Sequence, residues 1–188
     1  RTAVARQRTL EATLDWSYDL AAEPERRVLQ RLAVFARDCA IDAAEDVCAG
    51  AGIDREEVLD LVSRLADKSL VTVEAGADGR RRYRLLETVR DYAGARLLES
   101  GDAERVRDRH LVVCVAQAAR AAEGLSGSDQ VLWLRRLVHE HDNLRAALDW
   151  SLTSPARARR GLELSTGLVL FWMIRGAFAE GQRWLERL

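Results

Sequence analysis

Apolar residues recur every three to four positions along most of this chain, the spacing of helices that each bury one face. Thr9 precedes Leu10, Leu14 and Tyr18, with Thr13, Trp16 and Leu20 alongside, which predicts a first helix behind a capping threonine. Pro24 then stands where a first-turn proline is tolerated, and Val28, Leu32 and Phe35 follow on one face, with Leu29, Ala33 and Ala36 beside them. A short helix is expected over residues 42–49, stopped by Gly50 and Gly52. Asp54, with Glu57 three residues later, reads as the cap of a further helix whose core stripe is Val58, Val62 and Leu65.

After Lys68 the period changes. Residues 70–73 are Leu-Val-Thr-Val, residues 76–79 form a glycine-bounded turn, and residues 82–86 can return as a second strand, so a β-hairpin is predicted. Helical spacing resumes with Val89, Tyr92, Ala93 and Leu97 and ends near Gly101. Helices leading into a hairpin and one more helix is the order of a winged-helix domain, with the hairpin as its wing. From Asp102 onward only helical stripes occur: Val106, His110, Val113 and Gln117, then Leu134 and Val138, then Leu144, Ala147 and Leu148. Breaks fall at residues 124–128, at Ser154-Pro155 and at Gly176, short connections of the kind that join antiparallel helices. The expected fold is therefore mainly α: a winged-helix domain with one small β-hairpin over residues 1–101, then the start of an antiparallel, solenoid-like helical repeat domain over residues 102–188.

Composition narrows the function classes. The 188 residues are 48% apolar and 31% charged, a globular mixture, and no apolar run reaches bilayer length, so no membrane partner is expected. Formal net charge is -1, so any binding of nucleic acid has to come from a local patch. Cys39, Cys48 and Cys114 are odd in number and sit inside helical patterns, which suits buried thiols in a reducing, cytoplasmic compartment. The N-terminus lacks a signal-peptide layout, and the stripe Phe178, Gly181, Leu185, Leu188 stops with its face unpaired; both ends read as interior points of a longer chain.

Four segments carry a resemblance: residues 14–20 (Leu-Asp-Trp-Ser-Tyr-Asp-Leu), 32–35 (Leu-Ala-Val-Phe), 65–71 (Leu-Ala-Asp-Lys-Ser-Leu-Val) and 83–93 (Tyr-Arg-Leu-Leu-Glu-Thr-Val-Arg-Asp-Tyr-Ala). Together they resemble the STAND signalling ATPases, in particular bacterial regulators with an NB-ARC-type nucleotide-binding domain. Residues 140–148 and 178–185 are similar to the repeat region of the same proteins. The resemblance implies an upstream ATPase module, a winged helix, and tetratricopeptide-like repeats. ATP or ADP would be bound elsewhere in the parent protein, and the partners would be that nucleotide-binding domain and a protein or ligand taken by the repeats. It also implies that a methionine-histidine-aspartate motif, whose histidine touches nucleotide phosphate in relatives, falls here on Leu85, Leu86 and Glu87. A leucine at the histidine position can donate neither hydrogen bond nor charge to phosphate.

The chain itself predicts no enzyme and no bound cofactor. Lys68-Ser69 has the dipeptide of a phosphate-binding loop without its glycines. Carboxylates are interleaved with arginines on surface faces, and no serine stands in a nucleophile setting. His139-Glu140-His141-Asp142 looks like a metal cluster, but residues two apart on a helix point apart, and Asp142 reads instead as a residue near a helix start. Arg80, Arg81, Arg82 and Arg84 make the wing a candidate phosphate contact, against the alternative of a solvated hairpin tip. The helix before it carries Asp54, Glu56, Glu57, Asp60 and Asp67 against Arg55, Arg64 and Lys68, which would repel DNA. Trp133, Trp150, Trp172 and Trp184 could line a peptide-binding groove, though helical spacing with Leu and Ala favours core packing. A protein-facing regulatory module and a DNA-binding winged helix of a transcription regulator are thus the two readings carried forward.

Overall fold

The computed structural model describes residues 12–76 and 79–188. Thr9 and Leu10 of the first expected helix lie outside them; residues 12–19 are helical and are called α1. Two compact units arise: residues 12–34, 38–75 and 81–106 in the first, residues 35–37, 76, 79–80 and 107–188 in the second.

The first unit is built on α2 (Glu23–Leu32), which starts with Pro24 in its first turn and buries Val28, Leu29 and Leu32. The Ala22 N–H donates to Glu25 at 2.7 Å, closing the open end of that helix. Next comes β1 (Asp38–Ala40), then α3 (Ile41–Cys48). A 3₁₀ turn over Arg55–Glu57 carries the expected Asp54 and Glu57 capping box, and α4 (Val58–Asp67) follows, burying Val58, Leu61, Val62 and Leu65. Ser69 in left-handed conformation (φ 58°) ends α4 and turns the chain into β2 (Thr72–Ala75). The hairpin returns as β3 (Arg81–Arg84), and α5 (Glu87–Glu99) closes the unit. Helix α2 packs against α3, α4 and α5, so it is the centre of this core. Asp15 of α1 accepts hydrogen bonds from the Tyr92 hydroxyl at 2.6 Å and from Arg96 at 2.9 Å, fixing α1 to α5. Burial, followed by the Asp15 bond, pushes the Tyr92 hydroxyl up to about 12.

The winged-helix order is the expected one, with two differences. The sheet has three antiparallel strands, not two, in the order β1-β3-β2. Strand β1 is only Asp-Cys-Ala, with no alternation and no β-branched residue to announce it. It exists because β3 offers a partner 44 residues away, Cys39 opposite Tyr83. The hairpin strands also begin up to two residues away from the expected positions, since pairing register rather than propensity sets their ends.

The second unit is helical: α6 (Ala103–Leu125, from Arg107 onward), α7 (Gln130–Ser151), α8 (Pro155–Arg175) and α9 (Phe178–Arg187). Contact pairs give their directions. Trp150 bonds Asp108 while Gly124 lies against Trp133, so α6 and α7 are antiparallel. Gly161 lies against Ser151 while His141 meets Phe171 edge-on, so α7 and α8 are antiparallel too. Asp108 with Arg157, and Ala118 with Gly167, place α6 parallel to α8. Glycine makes that last contact possible: a β-carbon on Gly167 would come within 2.9 Å of the Ala118 backbone. Gly176 (φ 65°) terminates α8 at the expected break. The core of the unit is Leu111, Leu125, Leu144, Leu148, Leu164, Leu168 and Phe171.

Candidate nucleic-acid interface

Helices α3 and α4 and the β2–β3 hairpin occupy the places of a helix-turn-helix and its wing. The face of α4 not used for the core exposes Leu59, Asp60, Ser63, Arg64 and Asp67, with Glu56 and Glu57 just before it. Its cations are already engaged. Arg64 lies 2.5 Å from Asp60, Arg55 is 2.8 Å from Glu45 and 3.1 Å from Asp46, and Lys68 pairs with the buried Glu25. The face is net negative and opposes close approach of a phosphate backbone.

The wing has the opposite character. Arg81 and Arg84 of β3 are exposed, and Arg80 is exposed beside them in sequence, its carbonyl accepting from the Gly76 N–H at 2.7 Å. Arg82 is different and corrects the expected four-arginine contact. It is 6% exposed and its Nε donates to Asp38 Oδ1 at 2.6 Å, because β3 is the middle strand and β1 covers that side of it. Asp38 is the site residue that sequence reasoning missed; no local pattern links it to Arg82.

Of the three residues at the expected nucleotide-sensing motif, Leu85 is buried, Leu86 is exposed at the cap of α5 and Glu87 is the first residue of that helix. Trp172 and Trp184 are 3% and 7% exposed, in the core of the second unit. Trp133 and Trp150 are half-buried against the same core, with Arg136 over the first ring and Arg107 and Arg157 over the second. His139 to Asp142 lie in the middle of α7 rather than at a helix start, because α7 begins already at Gln130. His141 Nε2 is 3.0 Å from Glu180, and Glu140 accepts from Asn143 at 2.7 Å. Among the described residues no group of three or more His, Cys, Asp or Glu is placed to hold a metal ion, and no helix is long and apolar enough to cross a membrane.

His110 is the buried titratable group with the clearest consequence. It lies among apolar neighbours, edge-on to Phe35 at 5.0 Å, with the buried Cys114 thiol 3.6 Å from its ring nitrogen. Burial alone lowers it to about 4. The unfolded chain therefore takes up this proton near the ordinary imidazole value of about 6.5, while the folded chain resists until about pH 4, so stability present above 6.5 is lost as the pH falls. From pH 7 to pH 5 this one group should cost about 2 kcal/mol. Urea denaturation at both pH values should show a His110→Gln chain with a correspondingly smaller loss; equal losses in the two chains would refute the assignment.

Residues 21–99, which span α2 through α5, match the family described as Winged helix-turn-helix domain. Over all 188 residues the chain is 40% identical to a "Putative HTH-type transcriptional regulator" of Mycobacterium bovis, and equally to one of Mycobacterium tuberculosis. It spans only 21% of the length of those relatives. An uncharacterized protein of Mycobacterium tuberculosis is 43% identical over 109 residues, which is 57% of this chain and 28% of that one. No solved structure matches the chain.

Proposed function

We propose that this chain is the winged-helix and helical segment of a transcription regulator, non-catalytic in itself, and that its winged helix meets DNA through the wing rather than through α4. The observation that carries this is the charge contrast within one winged-helix unit: exposed Arg81 and Arg84 on β3, against a carboxylate-rich α4 whose cations are already paired. The match to winged helix-turn-helix domains and the printed description of the mycobacterial relatives support the regulator class. A labelled DNA duplex titrated with the chain at about 50 and about 200 mM salt should show binding that weakens steeply with salt. An Arg81→Ala/Arg84→Ala chain should lose at least tenfold in affinity at the lower salt, a difference of about 1.4 kcal/mol. Binding unchanged by that double substitution would remove the wing from the interface.

A second reading is favoured by the acidic face of α4, which suits a protein partner better than DNA. In it the winged helix, with its boundary near residue 101, couples an upstream NB-ARC-type nucleotide-binding domain to tetratricopeptide-like repeats beginning at residue 102, and ATP or ADP acts in the parent protein. Absence of DNA binding at about 50 mM salt, with the chain folded, would favour this reading over the first.

A further inference from the structure

Acidic and basic side chains are almost equal in number, 30 against 29. Exposed arginines without an ion-pair partner leave positive charge available to an anionic ligand. The wing pair Arg81 and Arg84 is one such place. Arg107 of α6 and Arg160 of α8 make another: both are exposed, and neither has an ion-pair partner among the described residues. Beside Arg107 stands a bonded frame. Trp150 donates its indole N–H to Asp108 at 2.8 Å, and Arg157 Nε donates to the same carboxylate oxygen at 2.6 Å. The Arg157 guanidinium stacks 4.2 Å from the Trp150 ring centre, and that of Arg107 lies 5.1 Å from it. Asp108 is thus held by Arg157 and Trp150 and titrates low: burial works against this, and the Arg157 and Trp150 bonds, with the fields of Arg157 and Arg160, outweigh it. Nearby acids do not cancel the surplus. Asp108 answers Arg157, Glu163 lies 3.5 Å from Arg159, and Glu104 precedes Arg107 by three residues on α6, against four arginines at 107, 157, 159 and 160.

We infer that Arg107, beside the clamped Trp150, and Arg160 of α8 form a second phosphate-contacting site in the helical unit, and that the phosphate belongs to a nucleic-acid backbone. Guanidinium groups suit this ligand because their planar forks match phosphate oxygens. The inference rests on the DNA-binding reading above and extends it to a unit that no winged-helix match covers.

The test is the salt dependence of duplex binding for four chains: unaltered, Arg81→Ala/Arg84→Ala, Arg107→Ala/Arg160→Ala, and all four substitutions together. Each phosphate contact contributes about 0.9 to the slope of log affinity against log salt. The Arg107→Ala/Arg160→Ala chain should show a slope smaller by about 1 to 2, with affinity reduced severalfold and equally for unrelated duplex sequences. Since both side chains are exposed, its melting curve should overlay that of the unaltered chain. An unchanged slope and affinity beside a weakened wing variant would overturn this site and leave the wing reading intact. Loss in the Arg107→Ala/Arg160→Ala chain alone would support the site and overturn the wing; no binding by the unaltered chain would overturn both. Replacing chloride by phosphate at equal ionic strength separates the sources: release of duplex at a few millimolar phosphate would assign the site to free phosphate and overturn the nucleic-acid assignment.

Discussion

Arg31→Met should lower the unfolding free energy of the chain by about 3 kcal/mol. Arg31 is 2% exposed, and its NH1 donates to the carbonyl of Cys48 and, at 2.8 Å, to that of Gly50. Cys48 is the last residue of α3, so the guanidinium satisfies a carbonyl at the negative end of that helix. Asp102 lies 3.6 Å away on the side closer to solvent and balances the charge. Methionine fills much of the same volume but donates nothing, leaving the buried Cys48 carbonyl without this partner at about 1 to 3 kcal/mol and the half-buried Gly50 carbonyl at less. Arg31→Lys should fall between the two, because one ammonium cannot reproduce the fork. Urea denaturation followed by circular dichroism measures the difference; a loss below about 1 kcal/mol for the methionine variant would mean that water replaces the guanidinium without cost.

Asp38→Ala should be as damaging, about 3 to 5 kcal/mol, because it takes a carboxylate from a buried cation. Arg82 and Asp38 are both nearly inaccessible, and their 2.6 Å bond joins β1 to the middle strand. The informative comparison is Asp38→Ala/Arg82→Leu. A buried ion pair exchanged for apolar groups is often nearly neutral, so the double variant should recover most of the stability lost by the single one. If instead the two changes add, Arg82 is stabilised by something other than Asp38. The experiment also bears on function, since Arg82→Leu removes a wing arginine that should not touch DNA: affinity for a duplex should be unchanged wherever the chain is folded.

Local periodicity carried much of this protein. Helices α2, α3 and α4 and the helices from α5 to α9 follow stripes and breaks readable in one dimension, because a helix that buries one face must repeat apolar residues every 3.6 positions. Capping by Asp54 and Glu57, the stop at Gly176 and the hairpin were legible for the same reason: each depends on residues close in sequence. So was the charge contrast between wing and α4, since exposed charges on one helix or hairpin are counted directly. What resisted reading was anything fixed by a distant partner. Strand β1 has no signal of its own and exists only as a neighbour of β3. The run of wing arginines reads as uniformly exposed, yet Arg82 turns inward to an aspartate 44 positions earlier. His139 to Asp142 look like the start of a helix only until α7 is seen to begin nine residues sooner, packed along its length on α8.

The sequence by itself determined where the helices and the wing lie and which surfaces carry net charge, because those properties depend on neighbours within a few residues. Only the tertiary structure decided which arginines meet carboxylates and how deeply Trp172 and Trp184 are buried. These outcomes depend on which side chains from distant segments arrive at the same place, and at a buried site a missing partner costs several kcal/mol, so packing overrides the local preference.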